Sequence, residues 1–193
     1  AQSTIACMGD ADVSVKIRHR DEATGAVQTL QQLTDAFGDG PWVVVSPHDD
    51  DAVLGMGLTL SAARARNVDV HVVVVSDGCM GYAKLEDRDD IVEVRRDELM
   101  KAMSGLGIDA ARLRCLGLPD GSLVRFAGCN RAGSGLGQQL TQVLRELSPT
   151  VVFGPTGRDL HPDHRVTSRE LDMACCWASS SIWLEMGEPI EAV

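Results

Sequence analysis

Two short clusters of histidine and aspartate are notable because their residue types bind divalent metal ions. The first cluster is His48-Asp49-Asp50-Asp51, and the second is His161-Pro162-Asp163-His164. Imidazole and carboxylate ligands together suit Zn²⁺ or a similar ion. Three such ligands leave a coordination position open for water, as catalytic sites do. Three consecutive aspartates would also repel one another without a nearby cation. The clusters therefore predict a catalytic metal site, provided that the fold brings them together.

Each cluster also has a simpler interpretation. Aspartate is favoured at helix N-termini, so Asp49–Asp51 could cap the following helix. Residues 161–164 could form a solvated turn with Pro162 at the first helical position. One aspartate would need no more than capping, but three beside a histidine favour the metal. An acidic pocket is also typical of magnesium-dependent phosphohydrolases, and metal preference would separate that alternative from a zinc enzyme.

The elements that must position these clusters are strands alternating with helices. This alternation predicts an α/β fold with a mostly parallel sheet flanked by helices on both faces, a Rossmann-like three-layer sandwich. In such sheets the ligand site lies beyond the carboxyl ends of the strands, where His48, Asp77 and His161 are expected. The predicted strands are 42–45, 70–75, 112–116 and 150–153, and the predicted helices are 52–66, 91–106, 136–147 and 166–178.

Composition excludes several other classes of protein. The 193 residues carry 18 Lys+Arg and 28 Asp+Glu, a formal net charge of −10, so nucleic acid is not an expected partner. No apolar run is long enough to predict a transmembrane segment. The six cysteines contain no CxxC and favour reduced, mostly buried thiols over disulfides, which predicts a cytoplasmic location.

The first 40 residues differ from the rest of the chain. We expect residues 1–40 to be an extension packed on the main domain, 41–193. Within this extension, the alternation over Val13–Ile17 predicts a strand, and Ala26–Phe37 is predicted to form a short helix.

Five motifs in order resemble those of the LmbE-like, or GlcNAc-PI de-N-acetylase (PIG-L), family. Residues 46–55, Ser-Pro-His-Asp-Asp-Asp-Ala-Val-Leu-Gly, resemble its signature that begins PHPDDE, and 161–164 match its second motif. The resemblance extends from Pro41 to Met173. Between these motifs, the family's TDG, R-x-x-E and LPDG correspond to Ser76-Asp77-Gly78, to Arg95 with Glu98, and to Leu118-Pro119-Asp120-Gly121.

The resemblance implies a zinc-dependent hydrolase that removes an acetyl group from N-acetylglucosamine-type amides. It also implies roles for individual residues. His48, Asp51 and His164 would be the zinc ligands. Asp50 would be the general base, His161 would stabilise the carbonyl oxygen, and Asp163 would orient a neighbouring imidazole. Arg95 and Asp120 would contact the sugar.

The sequence departs from the family pattern at Asp49 and Ala52, where the family has Pro and Glu, and at Asp159, where some relatives have Tyr. The substrate stays open, because family members act on thiol-precursor glycosides, phosphatidylinositol glycosides, chitin oligomers and glycopeptide antibiotics. Trp177 and Trp183 are expected in the core, with an apolar or lipid-like substrate moiety as the alternative. A catalytically weak sugar-binding relative and a C-terminally truncated domain also stay open.

Overall fold

The computed structural model describes residues 14–16, 27–29, 38, 40–130 and 132–191 of the chain. Short 3₁₀ turns occur at 85–87, 110–112, 123–126 and 184–186. In chain order the strands and helices are β1 Ser14–Lys16, β2 Val27–Thr29, β3 Trp42–Ser46, α1 Asp51–Ala65, β4 Val70–Ser76, α2 Ile91–Gly105, β5 Leu113–Leu118, α3 Leu136–Leu147, β6 Val151–Phe153 and α4 Pro162–Ala178.

The central sheet is parallel, with strand order β5-β4-β3-β6. Strands β3 and β4 form its centre, and Val44 lies in register with both Val72 and Phe153. All of β3 and nearly all of β4 is buried, as expected for apolar runs covered on both faces. The four strands and four described α-helices confirm the predicted α/β fold.

Alternate residues of the central strands point into two separate apolar cores. Trp42, Val44 and Val72 pack with residues of α1 and α2 on one face. Val43 and Val73 pack with residues of α3 and α4 on the other face. Helices therefore cover both faces of the sheet, which confirms the three-layer arrangement.

Helix α3 shows why this covering is stable. Leu136, Leu140, Val143 and Leu144 are buried at spacings of four, three and one residues, which place them on one helical face. Removing each such side chain from water contributes roughly 1.5–3 kcal/mol. Three polar residues of α3, Gln138, Thr141 and Arg145, are buried as well.

Arg145 joins α3 to the end of α4 and the segment that follows. Arg145 is 5% exposed, and among the described residues its guanidinium donates to backbone carbonyls and to no carboxylate. Two of these hydrogen bonds go to carbonyls of the last turn of α4, which lack intrahelical partners, and the others go to the segment that follows. The acceptors are the carbonyl oxygens of Trp177, Ala178, Ser180, Ile182, Trp183 and Gly187.

The N-terminal part corrects one prediction. The strand predicted over 13–17 is present as Ser14–Lys16, but Val27–Thr29 is a strand rather than part of a helix. β1 and β2 pair antiparallel, and the β-branched Val27 and Thr29 favour this extended backbone. The remainder of the predicted helix, residues 26 and 30–37, lies outside the described residues.

Two smaller expectations also change. Helix α4 begins at Pro162, four residues earlier than predicted, because proline suits the first helical position. The five described cysteines are free, but each is exposed or half-buried, so the expectation of mostly buried thiols is wrong for them. No helix among the described residues is long and apolar enough to span a membrane.

Candidate metal centre and active site

The two histidine–aspartate clusters meet at the carboxyl end of the sheet. Strand β3 ends at Ser46, whose hydroxyl donates to the His48 carbonyl at 2.6 Å and accepts from the Ala52 amide at 3.0 Å. These bonds shape the turn that carries His48 and Asp51 into the start of α1. The second cluster comes from the first turn of α4, which follows the neighbouring strand β6.

Three donor atoms form an equilateral triangle at this point. His48 Nδ1, Asp51 Oδ2 and His164 Nε2 are each 3.2 Å from the other two. A tetrahedral ion with ligand distances of about 2.0–2.1 Å requires ligand atoms about 3.3 Å apart. The side chains are 13%, 28% and 17% exposed, respectively, so the triangle is only partly open to solvent. The three residues therefore fit a small divalent cation.

Each histidine of the triangle has carboxylates behind its other nitrogen. His164 Nδ1 lies 2.9 Å from Asp159 Oδ2. His48 Nε2 lies 3.1 Å from Asp120 Oδ1 and 3.6 Å from Asp163 Oδ2, although neither contact has hydrogen-bond geometry. The Asp159 hydrogen bond is of the kind that fixes the tautomer and orientation of a metal-binding imidazole, whereas Asp120 and Asp163 place negative charge beside His48.

The surrounding charge favours a cation at the triangle. Burial lowers the pKa of His48, but the hydrogen bond to Asp51 and the charges of Asp120, Asp51 and Asp163 outweigh it and raise this pKa to about 8. Burial raises the pKa of Asp51, but hydrogen bonds from the ring and backbone of His48 outweigh it and lower that pKa. In the metal-free site a proton on His48 therefore supplies positive charge that a bound cation would replace.

Asp163 is a structural anchor as well as a neighbour of His48. Its side chain is 2% exposed and accepts from the Gly121 amide at 2.8 Å and from the Leu123 amide at 3.2 Å. It thus fixes the loop after β5 against the start of α4. Asp77 links the loop after β4 to the same turn, because its Oδ1 accepts from the amides of Cys79 and Asp120, both at 3.0 Å.

His161 and Asp50 are the more open residues of the site. A ring nitrogen of His161 lies within 4.8 Å of ring nitrogens of His48 and His164, and His161 is exposed. Asp50 is 52% exposed at the N-cap of α1, where its carboxylate makes no capping hydrogen bond. Helix capping therefore does not account for Asp50.

The structure shows the protein neighbours of Arg95 and Asp120, for which the family resemblance implies sugar contacts. Arg95 contacts Asp49, Asp50 and Glu98, and Asp120 faces His48. Asp159 contacts His164, whereas in the sequence it is distinguished only as a departure from the family pattern. Its role depends on the path of the β6–α4 loop, which spacing alone does not reveal.

A pocket of about 470 Å³ lies next to the triangle. It shares Asp51, Asp159 and His164 with the candidate metal site, and its other walls are mainly apolar residues such as Leu54 and Pro155. Neither Asp50 nor His161 lines this pocket, so the pocket lies on a different side of the triangle from these two exposed residues.

The protein therefore belongs to the class of α/β proteins that carry a candidate metal site at the carboxyl end of a parallel sheet. Comparison with known proteins identifies the family within this class. Residues 43–175 match the family described as GlcNAc-PI de-N-acetylase (PIG-L), and the chain belongs to that family. The matched segment agrees closely with the range that carries the motif resemblance.

Similar proteins include several deacetylases. A probable N-acetyl-alpha-D-glucosaminyl L-malate deacetylase 2 from Bacillus anthracis is 32% identical over 65% of this chain and 54% of its own length. A 1D-myo-inositol 2-acetamido-2-deoxy-alpha-D-glucopyranoside deacetylase from Rhodococcus jostii is 30% identical over 77% of this chain and 58% of its own. The chain thus spans little more than half the length of these relatives.

A solved structure supports the same relationship. The N,N'-diacetylchitobiose deacetylase from Pyrococcus horikoshii superimposes with a TM-score of 0.71 at 26% identity. The similarity covers 84% of this chain and 61% of that protein.

Proposed function

We propose that this chain is a zinc-dependent N-deacetylase that hydrolyses the N-acetyl amide of an N-acetylglucosamine-containing glycoside. The observation that carries this proposal is the triangle of His48, Asp51 and His164 donor atoms with 3.2 Å sides. Family membership and the deacetylase relatives support the reaction class.

The donor set favours zinc over magnesium. Two imidazoles and one carboxylate suit Zn²⁺, whereas Mg²⁺ prefers six oxygen ligands, several of them water. His48, Asp51 and His164 would hold the ion. When bound there, the ion would acidify water and polarise the amide carbonyl.

Asp50 is suited to move the proton. It directly precedes Asp51 in the chain, and its exposed carboxylate makes no capping bond. In the proposed reaction, Asp50 takes a proton from the water whose oxygen bonds to the carbonyl carbon. It then returns that proton to the nitrogen as the C–N bond breaks, releasing acetate and an amine. General acid–base transfer of this kind contributes roughly 10²–10⁴-fold to a rate.

His161 is suited to the developing negative charge. Its exposed ring lies next to the rings of His48 and His164, with ring centroids 4.7 Å and 5.0 Å away. An N–H of His161 would donate to the carbonyl oxygen as charge accumulates there. Asp159, Asp120 and Asp163 would keep the two ligand imidazoles oriented.

The N-acetylglucosamine unit is the part of the substrate that the named relatives share, with malate, inositol or a second sugar attached. An apolar moiety gains no support from the tryptophans. Trp177 and Trp183 pack against each other with ring centroids 4.9 Å apart. Trp177 lies 13 residues after His164 on α4, about 20 Å along the helix from the metal site.

The test combines metal analysis with assays of acetate release. The purified chain should contain about one zinc, release acetate from at least one of the malate, inositol and chitobiose glycosides, lose activity with chelator, and regain it with zinc. Asp50→Asn should keep the zinc and lose at least about 100-fold in kcat. Asp69→Asn, which changes an aspartate at the opposite end of the sheet, is the matched control and should retain activity.

Three results would contradict the proposal. Magnesium-activated phosphate release would favour the phosphohydrolase alternative. Zinc and sugar binding without acetate release would identify a binding relative. An Asp50→Asn variant with unchanged kcat would remove Asp50 from the reaction.

A further inference from the structure

Asp49 and Arg95 form a close ion pair at the edge of the candidate active site. Arg95 Nη2 donates to Asp49 Oδ1 at 2.8 Å, and Arg95 Nε lies 2.6 Å from Asp49 Oδ2. The Asp49 side chain is 10% exposed and that of Arg95 is 26% exposed. The Nη2 contact is a hydrogen bond and the Nε contact is an ion-pair contact without hydrogen-bond geometry, and together they hold the guanidinium against a largely buried carboxylate.

The loop after β4 leaves space for this guanidinium. A Cβ on Gly78 would lie 3.4 Å from Arg95 Cβ and 3.6 Å from Asp49 Oδ2. A Cβ on Gly81 would lie 3.4 Å from Arg95 Nε. The two glycines therefore border a slot in which Arg95 packs against backbone, so loop and ion pair together fix its position.

The same guanidinium reaches the proposed general base. Arg95 Nη2, which is held by Asp49, also lies 3.4 Å from Asp50 Oδ2. The third nitrogen, Nη1, lies 3.3 Å from Glu98 Oε2. All three guanidinium nitrogens thus contact carboxylates of the chain itself, so protein groups hold Arg95 in place.

We propose that Asp49 and Arg95 are a positioning pair that holds the Asp50 carboxylate in place for proton transfer. This inference rests on the proposed deacetylase function and assigns Arg95 a different role from substrate binding. Asp49 fixes the guanidinium by two contacts, and the guanidinium in turn restrains Asp50, which is otherwise half exposed. Neither residue of the pair touches the reacting atoms.

A double-mutant cycle tests this arrangement. The variants are Asp49→Asn, Arg95→Gln and the double variant, compared with wild type for kcat, KM, zinc content and melting temperature. Because misplacing a reacting group by about 1 Å costs up to 10²-fold, each single variant should lose about 10- to 100-fold in kcat. KM and zinc content should change less than threefold. The double variant should be no worse than the poorer single variant, because Asp49 acts through Arg95.

Glu98→Gln is the matched control, because it removes a carboxylate from the same guanidinium but leaves the contacts to Asp49 and Asp50. Its kcat should stay within about twofold of wild type. A rise in KM at constant kcat for Arg95→Gln would overturn the proposal in favour of direct sugar contact. Additive losses in kcat, or losses that follow melting temperature alone, would also overturn it.

Failure of the proposed function gives a distinct result, because wild type would then release no acetate. In that case crystal structures of wild type and Asp49→Asn decide the positioning claim. The Asp50 carboxylate should stay near Arg95 in wild type and move away or become disordered in the variant. An unmoved Asp50 would refute the pair even without an assay.

Discussion

The Asp159–His164 contact makes a prediction about metal affinity. Asp159 Oδ2 lies 2.9 Å from His164 Nδ1, so it favours the tautomer that leaves Nε2 free for a metal. Asp159→Ala would let the imidazole rotate and carry its proton on either nitrogen. The loss should therefore affect metal binding, although Asp159 is not itself a ligand.

The expected size follows from the geometry of this pair. Removing a carboxylate behind a metal-binding histidine weakens metal affinity by roughly 10- to 100-fold. Asp159 is 33% exposed, so water replaces part of the lost hydrogen bond. We therefore expect the lower end, about a tenfold loss of zinc affinity. The assay is competition for zinc against a chromophoric chelator at fixed pH.

Asp69→Ala is the control for this measurement. Asp69 Oδ2 also contacts a histidine, His71 Nε2 at 3.3 Å, but at the amino end of β4. Both variants remove one negative charge, so only the position of the charge differs. Unchanged zinc affinity in Asp159→Ala, or equal weakening in Asp69→Ala, would refute this reasoning. Asp159→Asn, which keeps an oxygen acceptor, should recover most of the affinity.

Three further predictions concern pH and packing. Zinc affinity should fall about tenfold per pH unit below pH 8, with proton release on binding, because His48 has a pKa of about 8 in the metal-free protein; a flat titration would contradict this. Arg145→Met should lower the free energy of unfolding in urea by about 3 kcal/mol or more, while the half-exposed Arg114→Met should cost less than about 1 kcal/mol. Gly137→Ala should cost about 1–3 kcal/mol in the same assay, because its Cβ would lie 2.6 Å from the Trp177 ring; no loss would show that the ring moves freely.

The parts of the fold predicted well are those in which one physical effect dominates. The apolar runs of β3 and β4 are buried on both faces, so their composition alone indicates central parallel strands. The spacing of apolar residues in α3 predicts its bounds, Leu136–Leu147. At Val27–Thr29, pairing with β1 outweighs a weak helical pattern, and that prediction fails.

The candidate site likewise has a part that the sequence predicts and a part that it does not. Residue types and strand ends bring His48, Asp51 and His164 together, because parallel strands end at one edge. Side-chain direction is not encoded by spacing. The sequence could not reveal that Arg95 turns toward Asp49, nor that Asp120 faces His48, because both depend on how loops from different strands pack.

Helix α4 has two ends of opposite chemical character. Its first turn is held by ionisable groups: the pKa of Asp159 is lowered by hydrogen bonds from the His161 backbone and the His164 ring, and that of Asp51 is lowered by His48 despite burial. Its last turn is held by Arg145 on backbone carbonyls, none of which titrates in the physiological range. Acid that protonates the carboxylates would therefore loosen the first turn while the last turn keeps its anchor. One helix thus combines an acid-sensitive end, where chemistry is proposed, with an acid-resistant end that secures the chain.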